Sequence, residues 1–309
     1  MHKFSPESNE CLICSSQYLR RFKANASDAK GSNVNIIECK SCTFAWQFPL
    51  GRSEQQSVEW FAEAYKDKGQ SQSTYFNPER KLEIAKLEFE FIESLPVNNK
   101  TILDIGAGSG AFAEIAAKNS WTVTAVDPAM DSNHFENNPK VNSIKGTIQH
   151  IPATELFSVV TLWDVIEHTQ TPRELILNAK SHIQDDGWLV IETGNYKSAD
   201  RGEQGINHWI YQLDHRWYFS PDSIKCLLLE AGFTEFILCE RVLRPGWNGN
   251  TRYAGPSKLN FIKAIIKDPL NMAIQASKYF RLTQAQKWEK AGLSIFTIAA
   301  RSLQKSDVI

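Results

Sequence analysis

A glycine-rich turn between a strand and a helix constrains this chain more than any other feature of its sequence. The strand pattern of residues 101–105 runs directly into a turn that contains Gly106, Gly108 and Gly110. Glycine has no Cβ, so such a turn adopts positive φ angles and lets a flat ligand approach the strand end closely. The next predicted strand, Thr122–Asp127, ends in a carboxylate that can accept hydrogen bonds from both hydroxyls of a ribose. The sequence therefore predicts a nucleoside site at the ends of these two strands.

Strand and helix patterns alternate through the rest of the chain. The predicted strands are Thr101–Ile105, Thr122–Asp127, Asn142–Lys145, Phe157–Trp163, Trp188–Thr193, Glu235–Val242 and Ser294–Arg301, and the predicted helices are Ala111–Lys118, Pro172–Ile183 and Pro221–Ala231. A further helix pattern begins at Pro78 and stops before Pro96. Such alternation is typical of an α/β fold in which helices cover both faces of a mainly parallel sheet. We expect a Rossmann-like, seven-stranded, doubly wound sheet.

Two classes of nucleotide fit the glycine turn. The spacing Gly106-x-Gly108-x-x-Ala111 matches the dinucleotide fingerprint, which holds a pyrophosphate at the helix N-terminus. Asp104 lies two residues before the first glycine, however, and a carboxylate there suits a cationic ligand better than a diphosphate. S-adenosylmethionine carries an ammonium and a sulfonium group and no phosphate. The residues therefore favour S-adenosylmethionine over a nicotinamide dinucleotide.

Four of the six cysteines form two Cys-x-x-Cys pairs, Cys11 with Cys14 and Cys39 with Cys42. Two residues between thiolates allow a tight turn that brings both sulfurs to one tetrahedral ion, and two such turns complete a structural Zn²⁺ site. Since all four predicted ligands are cysteines, no coordination position remains open for catalysis. Two disulfides are the alternative, and they require an oxidising compartment. We expect a zinc ribbon that docks or presents a substrate.

Several segments, in the correct order, resemble one family. Leu103–Gly110 resembles motif I of the class I S-adenosylmethionine-dependent methyltransferases, and Asp127 resembles the ribose acid of their motif II. Phe157–His168 resembles the fourth strand and following loop of the subgroup that includes ubiquinone-pathway and sugar methyltransferases, and Asp186–Asn195 resembles its fifth strand. The resemblance covers roughly residues 75–242 and the last strand. It implies methyl transfer from S-adenosylmethionine on a seven-stranded sheet whose last strand is antiparallel.

The resemblance also assigns residues to the methyl donor. Thr147 and Ile148 correspond to the family's contacts to the edge of adenine, and Trp163 and Asp164 border the adenosyl and methionine parts. The implied cofactor-binding set is Asp104, Gly106, Gly108, Gly110, Asp127, Thr147, Ile148, Trp163 and Asp164.

The candidate catalytic residues are Glu167, His168 and His215. Methyl transfer to a hydroxyl or C–H acid requires a base near the acceptor, and His168 follows a strand at the edge where a doubly wound sheet opens its crevice. In the family, the Glu-His pair at this point also contributes to a divalent cation site, so Glu167 and His168 admit either role. A loop histidine bonded to backbone is the structural alternative. His215 lies in an aromatic run that stacks on a sugar face or closes the core.

The expected organisation has three parts. Residues 1–50 form the zinc ribbon, residues 51–95 a linker or lid with the helix that leads into the sheet, and residues 96–309 the S-adenosylmethionine-binding methyltransferase domain. A helical insertion at 245–292 precedes the last strand and packs on the sheet, a second subunit or a membrane surface.

The acceptor is inferred from the ribbon. Cys39–Pro49 resembles the zinc ribbon found ahead of methyltransferases in sugar and surface-polysaccharide gene sets. That resemblance implies a small polar acceptor, a sugar or nucleotide sugar of a bacterial glycan or natural-product pathway. A quinone or other aromatic ring is the alternative that the Glu167–His168 pair allows, and a non-catalytic partner protein is a third.

The charge balance limits the partners. Lys and Arg number 34 against 35 Asp and Glu, so no general basic field attracts nucleic acid. The longest apolar runs fall short of the about 20 residues that a membrane span needs, and no secretory signal is visible. We expect a cytoplasmic protein without a transmembrane segment, and its oligomeric state stays open.

Overall fold

A seven-stranded mixed sheet organises the chain. The computed structural model describes residues 7–66, 77–130, 135, 138–239, 241–244, 247–248, 252–253 and 293–302. Its strands are β1 (Leu19–Asn25), β2 (Asn33–Cys39), β3 (Ala45–Gln47), β4 (Thr101–Ile105), β5 (Thr122–Asp127), β6 (Val141–Lys145), β7 (Phe157–Trp163), β8 (Ile183–Gly194), β9 (Trp217–Tyr218), β10 (Glu235–Leu238), β11 (Trp247–Asn248), β12 (Arg252–Tyr253) and β13 (Ile295–Arg301). Its α-helices are α1 (Glu54–Lys66), α2 (Pro78–Glu93), α3 (Ala111–Lys118), α4 (Pro172–Ser181), α5 (Ala199–Gln204) and α6 (Pro221–Glu230).

The strand order of the large sheet is β10-β13-β8-β7-β4-β5-β6. The strands β4 to β8 run parallel, whereas β13 is antiparallel to both of its neighbours. The central strand β7 is buried along its whole length apart from Trp163, because helices cover both faces of a parallel sheet. The predicted seven-stranded, doubly wound sheet with an antiparallel last strand is confirmed.

Two predicted strand ends differ from the structure by four or more residues. β8 begins at Ile183, five residues before the expected start at Trp188, and its first residue pairs with Phe157. β10 ends at Leu238 rather than at Val242. The chain leaves the sheet edge there and carries Arg244 into a buried cluster of carboxylates.

The four-cysteine segment belongs to a second sheet with the order β1-β2-β3-β9. β9 comes from the expected methyltransferase domain, and Trp46 pairs with Trp217 across the two parts. Phe44 lies between the parts, with its ring centroid 5.8 Å from that of Trp46, 6.3 Å from that of Trp217 and 5.4 Å from that of Phe219. The small sheet and the hydrophobic core therefore both continue across the boundary expected at residue 50.

The segment expected to be a linker or lid contains helix α1. Ser53 and Gln56 form a capping box at its start, because the Ser53 hydroxyl accepts from Gln56 N at 3.2 Å and the Gln56 side chain accepts from Ser53 N at 2.9 Å. The Ser-x-x-Gln spacing is a helix-start signal that the polar composition of this segment obscured. Residues 67–76 lie outside the described residues.

Most of the expected insertion at 245–292 also lies outside the described residues. The described part of it pairs β11 with β12 as an antiparallel hairpin. Within the parts of the chain that the structure describes, no helix combines the length and the apolar character that crossing a bilayer demands.

Candidate functional site

The glycine turn has the conformation that its sequence predicted. Gly106, Gly108 and Gly110 have φ angles of +72°, +55° and +76°. A Cβ on Gly106 would collide with the side chain of Val165, so glycine is required there for space as well as for conformation. Gly106 N donates to Val126 O at 2.8 Å, which holds the turn against the next strand. The turn thus lies at the carboxyl edge of the parallel strands, fixed against β5.

Asp127 lies at the end of β5 and accepts backbone hydrogen bonds on both oxygens. Gly108 N donates to Oδ2 at 2.9 Å and Ala129 N donates to Oδ1 at 2.7 Å. Burial raises the pKa of Asp127, and these backbone donors oppose that rise. These two hydrogen bonds therefore fix the carboxylate beside the glycine turn.

Asp104 lies at the bottom of the same crevice and is 1% exposed. Its Oδ1 accepts from Thr161 Oγ1 at 2.8 Å, while its buried Oδ2 has no hydrogen-bond partner among the described residues. Burial raises the pKa of Asp104 to about 7. An incompletely paired buried carboxylate is costly, and a cationic group of a ligand would relieve that cost. This acid fits the ammonium group of S-adenosylmethionine.

The remaining predicted donor contacts lie at the same edge of the sheet. Thr147 and Ile148 follow β6, where Ile148 opens a short 3₁₀ helix and is buried. Trp163 ends β7, and its ring centroid lies 5.2 Å from that of Phe112 on α3. Asp164 comes next and has a φ of +52°, a region that non-glycine residues rarely adopt. The predicted set lies along the carboxyl ends of β4 to β7, the edge at which doubly wound sheets bind ligands.

Glu167, His168 and His215 come together although His215 is distant in sequence. Each offers one ligand atom, and these atoms all lie within 4.8 Å of one another. The rings of His168 and His215 have centroids 4.8 Å apart. Two imidazoles and a carboxylate form a donor set that suits a divalent cation, and the same set can accept a proton.

The hydrogen bonds of the two histidines define their tautomers. His215 Nδ1 lies 2.7 Å from Ile210 O, and since a carbonyl only accepts, Nδ1 carries the proton and Nε2 has the lone pair. Burial lowers the pKa of His215 to about 4, so this ring is neutral at physiological pH. His168 Nδ1 lies 3.3 Å from Asp214 O, which favours the same tautomer. Burial and the neighbouring Asp164 raise the pKa of Glu167 well above its usual value.

A buried ionic cluster adjoins this site and was not predicted. Arg244 Nη2 lies 2.9 Å from Asp164 Oδ2, and Arg244 Nη1 lies 2.5 Å from Glu192 Oε1 and 3.7 Å from Glu88 Oε1. Thr297 donates to Glu192 Oε2 at 2.8 Å. Glu88 is four residues beyond Ile84, so helical spacing alone indicates that it faces the core. Its partners come from distant segments, which no local pattern reveals.

The four cysteines form a compact cluster of free thiols. Cys11 Sγ lies 3.4 Å from Cys42 Sγ, and Cys14 Sγ lies 3.6 Å from Cys39 Sγ. Four sulfurs bound to one tetrahedral Zn²⁺ at about 2.3 Å would lie about 3.8 Å apart. The cluster therefore needs only small side-chain movements to fit the metal.

Comparisons with known proteins agree with this architecture. The "Ubiquinone biosynthesis O-methyltransferase" of Rickettsia canadensis is 35% identical over 150 residues, which are 44% of this chain and 63% of that protein. The protein of the same name from Rickettsia conorii is 36% identical over 117 residues, 35% of this chain and 40% of that protein. The chain thus spans less than two thirds of the length of these curated relatives.

Two solved structures share the fold. The 1,6-didemethyltoxoflavin-N1-methyltransferase of Burkholderia thailandensis, solved with 1,6-didemethyltoxoflavin and S-adenosylhomocysteine, has a TM-score of 0.51 and 13% identity, covering 92% of this chain and 100% of that one. A chain from the complex of the Haloferax volcanii Trm112 methyltransferase activator with a putative methyltransferase has a TM-score of 0.51 and 14% identity, covering 80% and 98%. The profile of the methyltransferase domain family matches residues 76–236, just over half of the chain. This chain belongs to the methyltransferase domain family.

Proposed function

We propose that this protein transfers a methyl group from S-adenosylmethionine to a hydroxyl oxygen on a quinone-like or other aromatic ring. The observation that carries the proposal is the similarity to ubiquinone biosynthesis O-methyltransferases, at 35% identity over 150 residues. The sugar acceptor expected from the ribbon finds no support in the relatives named above. The alternative acceptor, an aromatic ring, is therefore preferred.

In this proposal the donor lies across the carboxyl ends of β4 to β7. Asp104 pairs with the ammonium group, and the glycine turn lies under the nucleoside. Asp127 accepts from the ribose hydroxyls, and Thr147 with Ile148 contacts the adenine edge. Trp163 and Asp164 border the adenosyl and methionine parts. The bound donor supplies an electrophilic methyl carbon on a positively charged sulfur.

His168 and His215 then face the acceptor. The Nε2 atom of His168 takes the hydroxyl proton while the acceptor oxygen attacks the methyl carbon, and the sulfur leaves as the neutral thioether of S-adenosylhomocysteine. His215 stays neutral because burial holds its pKa at about 4, so its Nε2 accepts a hydrogen bond. A second role for Glu167, His168 and His215 is to hold a divalent cation that polarises the acceptor hydroxyl.

We further propose that Cys11, Cys14, Cys39 and Cys42 hold a structural Zn²⁺. The organisation proposed for the chain keeps residues 1–50 as the zinc ribbon, 51–95 as the connecting segment and 96–309 as the methyltransferase domain, with the insertion at 245–292. The antiparallel sheet that β9 shares with β1 to β3 supports a ribbon that works as part of the enzyme.

The first experiment tests the donor and the acceptor separately. Calorimetry should detect S-adenosylhomocysteine binding and no NADH binding, and Asp127→Ala should abolish the former. Transfer of labelled methyl from S-adenosylmethionine is then measured with a soluble catechol and with a nucleotide sugar. We expect a product only from the catechol. Transfer to the nucleotide sugar alone would overturn the aromatic acceptor, and absent S-adenosylhomocysteine binding would overturn the donor.

A second experiment separates the two roles of the histidine cluster. Gel filtration into metal-free buffer removes a weakly held cation and leaves a four-cysteine zinc in place. Turnover should then be the same with and without added Mg²⁺ or Mn²⁺ if His168 acts as the base. Turnover that disappears and returns with the cation would favour the cation role. Turnover that persists in both His168→Ala and His215→Ala would remove both residues from the mechanism.

A further inference from the structure

A chain of buried charged side chains connects the N-terminal sheet to His168. Asp28, in the turn between β1 and β2, has its Oδ2 atom 3.4 Å from Arg52 Nη2. Arg52 Nη1 lies 3.5 Å from Asp214 Oδ2, and the same Asp214 oxygen lies 3.7 Å from His168 Nδ1. The Asp214 side chain is 2% exposed, and those of Asp28 and Arg52 are nearly buried. Screening by water is therefore weak along the whole chain of charges.

Hydrogen bonds to backbone groups of the loop that carries Asp214 fix this loop against the N-terminal sheet. Leu213 N donates to Asp28 Oδ1 at 3.0 Å, and Ser27 N donates to Tyr211 O at 2.8 Å. The amide of Gln47, on β3, donates to Gln212 O at 2.9 Å and to His215 O at 3.2 Å. The position of this loop, and of Asp214 and His215 in it, thus depends on residues 1–50, which we call the four-cysteine module.

Helix α1 encloses His168 from another side. The ring of Phe61 contacts the His168 ring edge to face, with centroids 5.5 Å apart. Arg52 lies over the ring of Trp60 at 4.9 Å, so the guanidinium is held by stacking as well as by charge. Two acids and one guanidinium leave an excess negative charge beside the imidazole.

Asp28 Oδ2, Arg52 Nη1 and Asp214 Oδ1 are buried and make no hydrogen bond among the described residues, although the first two lie in the ion pairs given above. Burying charged atoms without hydrogen bonds is costly. A fold that needed only packing at this point would be more stable with apolar side chains. The cost indicates a role for these charges at the site that they adjoin.

We propose that Arg52 and Asp214 are positioning residues that hold the His168 imidazole with its proton on Nδ1, and that Asp28 ties this pair to the four-cysteine module. The Asp214 carboxylate attracts the Nδ1 proton, so Nε2 points its lone pair at the acceptor. Arg52 pairs with that carboxylate and orients it. The N-terminal module is then part of the reaction centre. The inference rests on the proposed function only in taking His168 as the residue that meets the acceptor.

The groups around His168 come from every element packed on it. Glu167 is its chain neighbour, His215 and Asp214 come from the loop before β9, Phe61 comes from α1, and Arg52 precedes that helix. The Asp214 backbone carbonyl at 3.3 Å from Nδ1 is the competing acceptor for the same proton. A substitution that removes the Asp214 carboxylate and keeps its backbone carbonyl distinguishes these two acceptors of the Nδ1 proton.

The test uses the full chain and the variants Asp214→Asn, Arg52→Gln and Arg52→Lys. Long-range ¹H–¹⁵N NMR of histidine-labelled protein reports the tautomer of His168, and the signals missing from His168→Gln identify it. We expect one Nδ1–H tautomer in the native protein and a mixture of tautomers in Asp214→Asn and Arg52→Gln. Removing such supporting contacts reduces activity about 10–100-fold. We expect that loss in kcat, with KM changed less than about threefold.

Matched controls use exposed residues of the same types. Asp185→Asn and Arg20→Gln change one exposed charge each and should leave the tautomer and kcat at native values. Arg52→Lys keeps the charge and should recover most of the activity. S-adenosylhomocysteine affinity should be unchanged in all variants, since the donor crevice is not altered. If Asp214→Asn does not fold, Arg52→Gln alone provides both measurements, the tautomer of His168 and kcat.

A native tautomer in Asp214→Asn and Arg52→Gln would overturn the inference and assign the Nδ1 proton to the backbone carbonyl. A loss of kcat without any tautomer change would overturn it as well. Failure of the proposed function has a different signature. Native turnover in His168→Gln would remove His168 as the base, whereas the NMR experiment would still report whether Asp214 orients its ring.

Discussion

Asp104 shows at the scale of one residue how a ligand site is maintained at the expense of stability. Burial raises its pKa to about 7 from 3.8, so stability that is fully present below pH 3.8 is lost as the pH rises through 7. Asp104→Asn should therefore increase the free energy of unfolding at pH 8 by about 1–4 kcal/mol. It should also weaken S-adenosylhomocysteine binding at least about tenfold, because the ammonium loses its counter-charge. Urea unfolding and calorimetry measure the two effects.

The pH dependence of binding provides a control for this residue. In the native protein, S-adenosylhomocysteine affinity should fall as the pH falls below about 7, since a protonated Asp104 no longer attracts a cation. The Asp104→Asn variant should show no such change. Affinity that is equal at pH 6 and pH 8 in the native protein would contradict an ionised Asp104 as the partner of the ammonium.

At the scale of one element, helix α1 depends on its capping box and in turn carries Phe61 to His168. Ser53→Ala removes the acceptor of Gln56 N, and such substitutions cost about 0.5–2 kcal/mol. Residues 54–64 of α1 are exposed or only partly buried, so packing contributes little to the stability of this helix. We therefore expect local fraying, faster amide exchange over residues 54–60 and a lower kcat. Ser181→Ala, at the exposed last residue of α4, is the control. Unchanged amide exchange in α1 would contradict a role for the capping box.

At the scale of the whole molecule, the four-cysteine module pairs with a strand from beyond residue 50 and shares one hydrophobic core with the large sheet. β3 pairs with β9, and Phe44 packs on aromatic side chains of both parts. Metal removal, or Cys39→Ser, should therefore lower the melting temperature of the entire chain by more than about 5 °C in one cooperative transition. Circular dichroism and elemental analysis, with one zinc expected per chain, provide the measurements. Cys226→Ser, at an exposed cysteine on α6, serves as the control.

Two separate transitions in calorimetry would show instead that residues 1–50 fold independently. Loss of zinc without any change in the melting of the methyltransferase domain would have the same meaning. Either result would also weaken the view of the module as part of the reaction centre, because a loosely attached ribbon cannot hold the loop of Asp214 in place.

The sequence alone determined the features whose physics is local. The conformation of Gly106 follows from the absence of a side chain, and the position of Asp127 follows from its place at a strand end. The Cys-x-x-Cys spacing keeps the two thiols of each pair close, within the 4.8 Å that separates the cluster's sulfurs. Alternating patterns also predicted the sheet and its helices, because a doubly wound fold requires apolar strands and amphipathic helices in turn.

Tertiary structure alone decided which distant groups meet. Arg52 and Asp214 are 162 residues apart, and no local pattern in the sequence indicates that they pair with each other. The same holds for Arg244, which reaches carboxylates on α2 and β8, and for Trp217, whose pairing with Trp46 joins two expected domains. Local sequence encodes conformation and burial, whereas the pairing of buried charges depends on how strands and loops pack in three dimensions. The orientation proposed for His168 depends on such a pairing, that of Arg52 with Asp214.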